Sequence, residues 1–386
     1  MRRNCLALAA VALAAPGVAA PIEFSAVLTG EAGYGTNPFL RQGVTQGAPV
    51  VSGTFTPELV KRTARSTTTL KGDYNRDQYL SKFGYTDSLR TELLRSDQLT
   101  EHLSTNLSAS FSTTNKALLG DPNLVTNDPL NSGRRTRQFA GEYQAQWLAN
   151  AKDRFTYSVQ ASHSSFSGRH SAIPNAVASA YTLTGMTLGY DHALDARTSV
   201  GVQTSVSSVN SRIYPDSRTI QPSVTAKRQL NAIWVIDGHI GVVLQHTFGP
   251  FARSNTSLGY GANLCGTYPR TTICVSTQRS VGPSGYGSLR ATNAITGSLK
   301  HQLTEHSRFD LAANYTKSSA SQALVLFPGA LGKYRALQVE AKYDRDLTER
   351  LSAGFGGSYR SRKVETIGTA HAVAGTVHIT AKLGRI

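Results

Sequence analysis

Long apolar runs are the first thing this sequence lacks. Past residue 20, no stretch of its 386 residues approaches the roughly 18 unbroken apolar residues that a membrane-spanning helix needs, which excludes a bundle of such helices. Cysteine is scarce, with 3 in the whole chain. No Cys-x-x-Cys, His-Glu-x-x-His or phosphate-cradling glycine loop occurs either, so neither a metal nor a cofactor is expected. Acidic residues are in deficit, 24 Asp plus Glu against 40 Lys plus Arg. The surplus cations are scattered, and in a chain marked for export that spread argues against nucleic acid as a partner. What the chain does have is Leu, Val, Ile, Phe and Tyr along its whole length with a charged fraction of 17%, which excludes disorder. No linker-like break divides it.

Arg2 and Arg3, the short apolar run from Leu6 to Ala14, and the small residues Val18, Ala19 and Ala20 make a secretory signal peptide. Residues 1–20 are expected to be removed, leaving 21–386 as a single domain. Export also sets the redox surroundings. Cys5 leaves with the peptide, and Cys265 and Cys274, flanked by Gly, Tyr-Pro and Thr-Thr, read as a disulfide closing one loop.

The mature chain repeats a period of two. Leu351, Ala353, Phe355, Gly357 and Tyr359 alternate with Ser352, Gly354, Gly356, Ser358 and Arg360; Phe155, Tyr157, Val159 and Ala161 alternate with Thr156, Ser158, Gln160 and Ser162. Successive side chains of a strand point to opposite faces, so each segment is a ribbon with one greasy and one wet surface. Between such ribbons a short turn recurs, as Leu99-Thr-Glu-His102, Leu194-Asp-Ala-Arg197, Leu303-Thr-Glu-His306 and Leu347-Thr-Glu-Arg350, with looser versions at Lys61 to Arg65, Asn150 to Arg154 and Gly249 to Arg253. The other connections are long and polar: Thr113 to Arg135, Phe166 to Ala178, Ser211 to Lys227 and Leu264 to Ser284.

Short turns at one end, long loops at the other and roughly ten-residue alternating strands between them are the layout of a closed antiparallel transmembrane β-barrel. Sixteen strand centres can be placed, from Leu28 to Ile379, so 16 strands are expected, or 14 if the segments before Thr63 form a periplasmic extension. The stretch Ile220 to Gly238 breaks alternation and reads as a folded loop. Trp147, Phe155, Tyr190, Phe248, Phe309 and Tyr343 fall on the greasy face near short turns, where an aromatic girdle belongs. A soluble sandwich of this length would need several domains, and a β-helix a shorter repeat. The expected location is the outer membrane of a Gram-negative bacterium, with lipid and lipopolysaccharide around the wall.

Gly33-Tyr34-Gly35-Thr36-Asn37-Pro38-Phe39, then Thr56-Pro57-Glu58-Leu59 and the hairpin series, resemble the type 2 group of β-barrel porins. The resemblance spans nearly all of the mature chain, and Asn-Pro-Phe is its distinctive segment. It implies an outer-membrane barrel, in several cases tied to surface polysaccharide systems. Such barrels usually end in an aromatic residue read by the barrel assembly machinery; here the last residue is Ile386.

A barrel this wide encloses a lumen that side chains do not fill. The wet face places Arg90, Glu92, Glu142, Arg290, Lys300, Arg308, Lys342, Arg360 and Arg362 inward as pore-lining candidates, with acids close to balancing bases. The loop from Thr113 could fold inward and bring Arg134 and Arg135 into the path, or leave them on lipopolysaccharide phosphates. The expectation is a passive, porin-like channel for small hydrophilic solutes, anionic or saccharide, with weak anion preference from loop cations. The alternatives are a non-transporting barrel in surface structure or exopolysaccharide export and, remotely, a lipid hydrolase using His163 and Ser165. The hydrolase needs an orienting acid that the sequence does not place, so no enzyme is expected.

Overall fold

The computed structural model describes residues 21–40, 42–81, 83–115, 135–167, 180–212, 215–249, 252–283, 289–319, 333–365 and 368–384. Residues 1–20, expected as a signal peptide, and residues 116–134, which include Arg134, lie outside them. The first third of the wall consists of β1 (Ile22–Thr36), β2 (Gly47–Arg62), β3 (Ser66–Tyr79), β4 (Tyr85–Gln98), β5 (Leu103–Thr114) and β6 (Arg135–Leu148). Next come β7 (Asp153–Ser167), β8 (Tyr181–Ala193), β9 (Thr198–Ser211), β10 (Ser217–Gln229), β11 (Trp234–Thr247) and β12 (Arg253–Thr267). The ring is completed by β13 (Thr271–Pro283), β14 (Leu289–Thr304), β15 (Ser307–Ser318), β16 (Tyr334–Asp346), β17 (Leu351–Val364) and β18 (Gly368–Gly384).

Each strand pairs antiparallel with its sequence neighbours, and β1 pairs with β18, from Ser25–Gly384 to Gly35–Ala374, closing an 18-stranded sheet. Closure pairs the first strand with the last, so the sheet has no terminal edge strand open to lipid. Directly opposed residues share a face, so one register propagates around the ring. Leu28, Phe55, Tyr74 and Leu89 are opposed in turn and face outward; so are Tyr143, Val159, Met186 and Val206. Leu28, Phe55, Leu70, Tyr143, Val159 and Met186 are all exposed, which for apolar side chains on a closed barrel means contact with hydrocarbon. The chain is an outer-membrane barrel. Its even strand number puts both described ends at the short-turn, periplasmic side, and the long connections at the extracellular side.

The expected count of 16, or 14, is corrected to 18. All sixteen centres lie in strands, and the segments before Thr63 are β1 and β2 of the wall. The two strands missed are β10 and β13, inside the stretches read as long loops. In β10 the outward residues are Ile220, Pro222, Val224 and Ala226, and Pro222, opposite Val242, interrupts the pairing with β11 between Ile220–Leu244 and Ser223–Gly241 because it has no N–H to give. In β13 Ile273 and Val275 alternate with Thr272, Cys274 and Ser276, a greasy stripe too thin to stand out. Missing β10 reversed the direction assigned to β11 and β12, so Gly249–Arg253 is corrected from a periplasmic turn to the extracellular end. Missing β13 restored the direction, and the turns after Leu303 and Leu347 fall where expected.

The ladder between β12 and β13 is short. It runs from Thr267–Thr272 to Tyr260–Arg279 and stops, while β13 stays paired with β14 up to Pro283–Leu289. The extracellular ends of β13 and β14 thus leave the wall line of β12.

Candidate transport path through the barrel

All nine charged pore-lining candidates face the lumen by register, and neighbouring strands set opposite charges side by side. Glu58 opposes Lys71, which opposes Glu92; Asp73 opposes Arg90. Across the ring Lys300 opposes Asp310, which opposes Lys342, and Arg308 opposes Asp344. Glu142 on β6 and Arg360 on β17 lie on the same inner surface. Such alternation lowers the cost of many charges on one wall and leaves no net field of one sign.

Near the periplasmic end a buried group crosses three strands. His378 of β18 reaches over Gly354 of β17 and its Nε2 lies 2.8 Å from Asp344 Oδ1 on β16; the two side chains are 1% and 4% exposed. Arg308 Nε at 3.3 Å and Lys342 Nζ at 3.5 Å complete the shell around Asp344. The crossing depends on glycine. A Cβ at Gly354 would stand 2.0 Å from the Tyr343 carbonyl oxygen and 2.6 Å from His378 Nε2.

The same device appears on the opposite wall, where Asp191 of β8 reaches past Gly201 to accept a 3.2 Å bond from the Thr225 hydroxyl of β10 while pairing with Arg154 Nη2 at 2.9 Å. Beside it is a luminal recess of about 330 Å³ lined by Arg154, Asp191, Lys227, His239 and Asn263. A second cavity of about 520 Å³ continues it toward the periplasmic rim. Asp191 is satisfied by protein, and Asp237 accepts from Asn263 Nδ2 at 3.2 Å. Among the described residues the Lys227 and His239 side chains have no hydrogen bond or ion pair, and both line this recess. Lys227 was expected in a loop; it lies in β10, facing inward opposite Asp237. His239, Asp191 and His378 had no sequence signal beyond inward parity.

At the extracellular end side chains from distant strands meet. Tyr181 of β8, Val209 of β9 and Leu289 of β14 form one buried cluster, with Phe166, Leu183 and Val281 against it. Five strands separate β8 from β14 along the wall, so these side chains meet only across the mouth. On the other side the segment after β1 folds in. Asn37 and Leu40 take left-handed backbone angles, φ +42° and +49°, Leu40 is fully buried, and Arg362 Nη2 donates to its carbonyl oxygen at 2.6 Å. A left-handed leucine costs about 1 kcal/mol, which that buried charge-assisted bond offsets. The Asn-Pro-Phe segment is therefore an inward turn at the rim. Next to it Ala48, Val50 and Tyr79 form a second apolar cluster with Phe83. Arg362 is 2% exposed, and Arg290, stacked over the Tyr334 ring at 5.6 Å, is 4% exposed; both face inward yet are covered.

The outer surface carries the remaining candidates. Trp147 stacks on Phe155 at 5.4 Å, Phe155 meets Tyr190 at 5.1 Å, and Phe309 opposes Tyr343, which stacks on Phe355 at 5.2 Å. These rings face lipid at the periplasmic end. Phe248 is corrected: it follows β11 at the extracellular rim, against His246. Of the two placements open to Arg135, the structure has the outer one: it begins β6 facing outward and pairs with Asp87 at 2.7 Å. Cys265 and Cys274 are bonded and directly opposed across β12 and β13, so their bridge staples a hairpin, not a loop. His163 faces outward and its Nδ1 bonds the Thr182 hydroxyl at 3.0 Å; Ser164 is buried on the inner face. Among the described residues no group of His, Cys, Asp and Glu could hold a metal ion.

No protein-family model and no curated protein matches the chain. Solved structures do. The FrpB iron transporter from Neisseria meningitidis is 8% identical with a TM-score of 0.46, over 94% of this chain and 81% of that one. The ferric citrate transporter FecA is 12% identical with a TM-score of 0.46, over 93% and 64%. The siderophore receptor PirA from Acinetobacter baumannii is 8% identical with a TM-score of 0.48, over 95% and 81%. The likeness is one of barrel wall. The expectation of a passive porin-like channel is corrected by the barrel itself, where packed side chains of β8, β9 and β14 cross the mouth.

Proposed function

We propose that this protein is a gated outer-membrane transporter that admits an oxygen-rich, polar cargo when the extracellular ends of β13 and β14 swing away from β8 and β9. The observation that carries the reading is the packing of Leu289 on Tyr181 and Val209 across the mouth. The free end of that gate is supplied by the short β12–β13 ladder, because a hairpin released from one neighbour can move without breaking the rest of the wall. Cargo chemistry follows from the recess. Lys227 and His239 offer donors beside satisfied carboxylates, which suits a solute bearing several carboxylate, catecholate or hydroxyl oxygens.

Two measurements test it together. In a planar bilayer the refolded protein should stay closed for long periods, and titration with ferric citrate, a ferric catecholate and a neutral oligosaccharide should show saturable binding of an oxygen-rich member. Replacing Lys227 with Ala should weaken that binding about tenfold, the effect of one charge-assisted bond. Steady current from the unmodified protein with no saturable binding would refute the proposal.

A further inference from the structure

We propose that the extracellular rim of β15, β16 and β17 is a binding site for the phosphate groups of outer-leaflet lipopolysaccharide, held by Lys317, Arg335 and Lys363. Lys317 opposes Arg335, and Arg335 opposes Lys363, so the three sit side by side on adjacent strands. Their parity with Tyr315, Leu337 and Tyr359 puts all three on the lipid-facing surface. Each is exposed, and none has a hydrogen bond or ion pair among the described residues.

Directly opposed residues hold their Cβ atoms about 5 Å apart, and like charges in such positions repel. Elsewhere on the outer face this barrel neutralises outward cations with its own carboxylates, as in Arg135 with Asp87 and Arg95 with Asp97. The three-cation row has no such partner; the nearest described acid along these strands, Glu365, lies beyond Lys363 in the connection to β18. An uncompensated row is stable where an external anion occupies it.

The position on the wall identifies that anion. Two residues toward the periplasm on the same face come Tyr315, Leu337 and Ser361, then Ala313, Val339 and Tyr359, whose hydroxyl bonds His371 Nδ1 at 2.9 Å. Apolar wall, rings with polar tips and then cations is the sequence met on leaving hydrocarbon for the headgroup layer. A step of two strand residues is about 7 Å, which sets the cations at the phosphates above the acyl chains. Phosphate, with several acceptor oxygens and more than one charge, can bridge adjacent ammonium and guanidinium groups and neutralises more of the row than the single charge of a carboxylate.

The test uses the folded barrel in detergent, titrated with phosphorylated lipopolysaccharide, with the same lipopolysaccharide after enzymatic dephosphorylation, and with inorganic phosphate. Binding is read by native mass spectrometry, and stability by heat-modifiable gel mobility. The parent should bind the phosphorylated form at least tenfold more tightly than the variant carrying Lys317→Gln, Arg335→Gln and Lys363→Gln. Without lipid, the variant should be as heat-resistant as the parent or more so, because the repulsion is gone. The single change Arg335→Gln, in the middle of the row, should give an intermediate loss and serves if the triple variant refolds poorly. Equal binding by parent and variants, or equal binding of the dephosphorylated form, would overturn the assignment. So would inorganic phosphate protecting the parent as well as the lipid does, which would make this a general anion site.

Discussion

Removing the Leu289 side chain should open the mouth. The residue is 4% exposed and packs against Tyr181 and Val209, which are 3% and 7% exposed. Truncation to alanine deletes three carbons, at about 0.8 kcal/mol each, and a residual cavity raises the loss toward about 3 kcal/mol. The contact joins β14 to β8 across the mouth and exists only when the mouth is shut, so the loss falls on the closed state. About 2.4 kcal/mol changes a closed-to-open ratio by about 50-fold. A parent open about 1% of the time would yield a variant open roughly a third of the time. The assay is single-channel recording of parent and Leu289→Ala side by side, with folding of each checked by circular dichroism. An unchanged open probability in a folded variant would show that the cluster does not gate, and a parent that conducts steadily would show that it does not seal.

Gly354→Ala should destabilise the barrel by about 2–3 kcal/mol, since its Cβ meets backbone at 2.0 Å and cannot be relieved by a side-chain rotation; the urea midpoint of unfolding reports it, and an unchanged midpoint would contradict the crossing. Asp344→Ala leaves His378 buried without its acceptor and should cost about 3 kcal/mol in the same measurement, whereas Asp310→Ala, at a half-exposed site, should cost under about 1 kcal/mol. Cys265→Ser should lower stability by about 2–3 kcal/mol, the chain-entropy value for a bridge across nine positions, and should abolish the mobility difference between reduced and non-reduced gels.

Much of the wall was legible because a lipid-facing barrel forces strict parity: Leu28, Phe55 and Ile379 could be placed from alternation alone, and so could the inward Arg90, Lys300 and Lys342. Legibility failed where the greasy stripe thins. Pro222 in β10 suggested a loop, although Ile220, Val224 and Ala226 keep the period on either side of it, and that spacing is the signal that would have found the strand. The Thr271–Pro283 strand was hidden by the cysteine pair, which looked like a loop closure. The mouth was illegible for a different reason. Parity says that Arg290 and Arg362 face inward, but not that Tyr334 and the Leu40 carbonyl cover them, because those partners come from elsewhere in the ring. Nor could pattern reveal that His378 meets Asp344, since that contact skips a strand and depends on the missing side chain of Gly354.

The truncated ladder between β12 and β13 makes the ring a cuff with one slit, not a seamless hoop. Circumference can change there while every other hydrogen-bonded joint holds, and the Cys265–Cys274 bridge, below the last paired residues Tyr260 and Arg279, acts as a rivet at the foot of the slit. Widening is thereby confined to the extracellular half, where the two strands are unpaired.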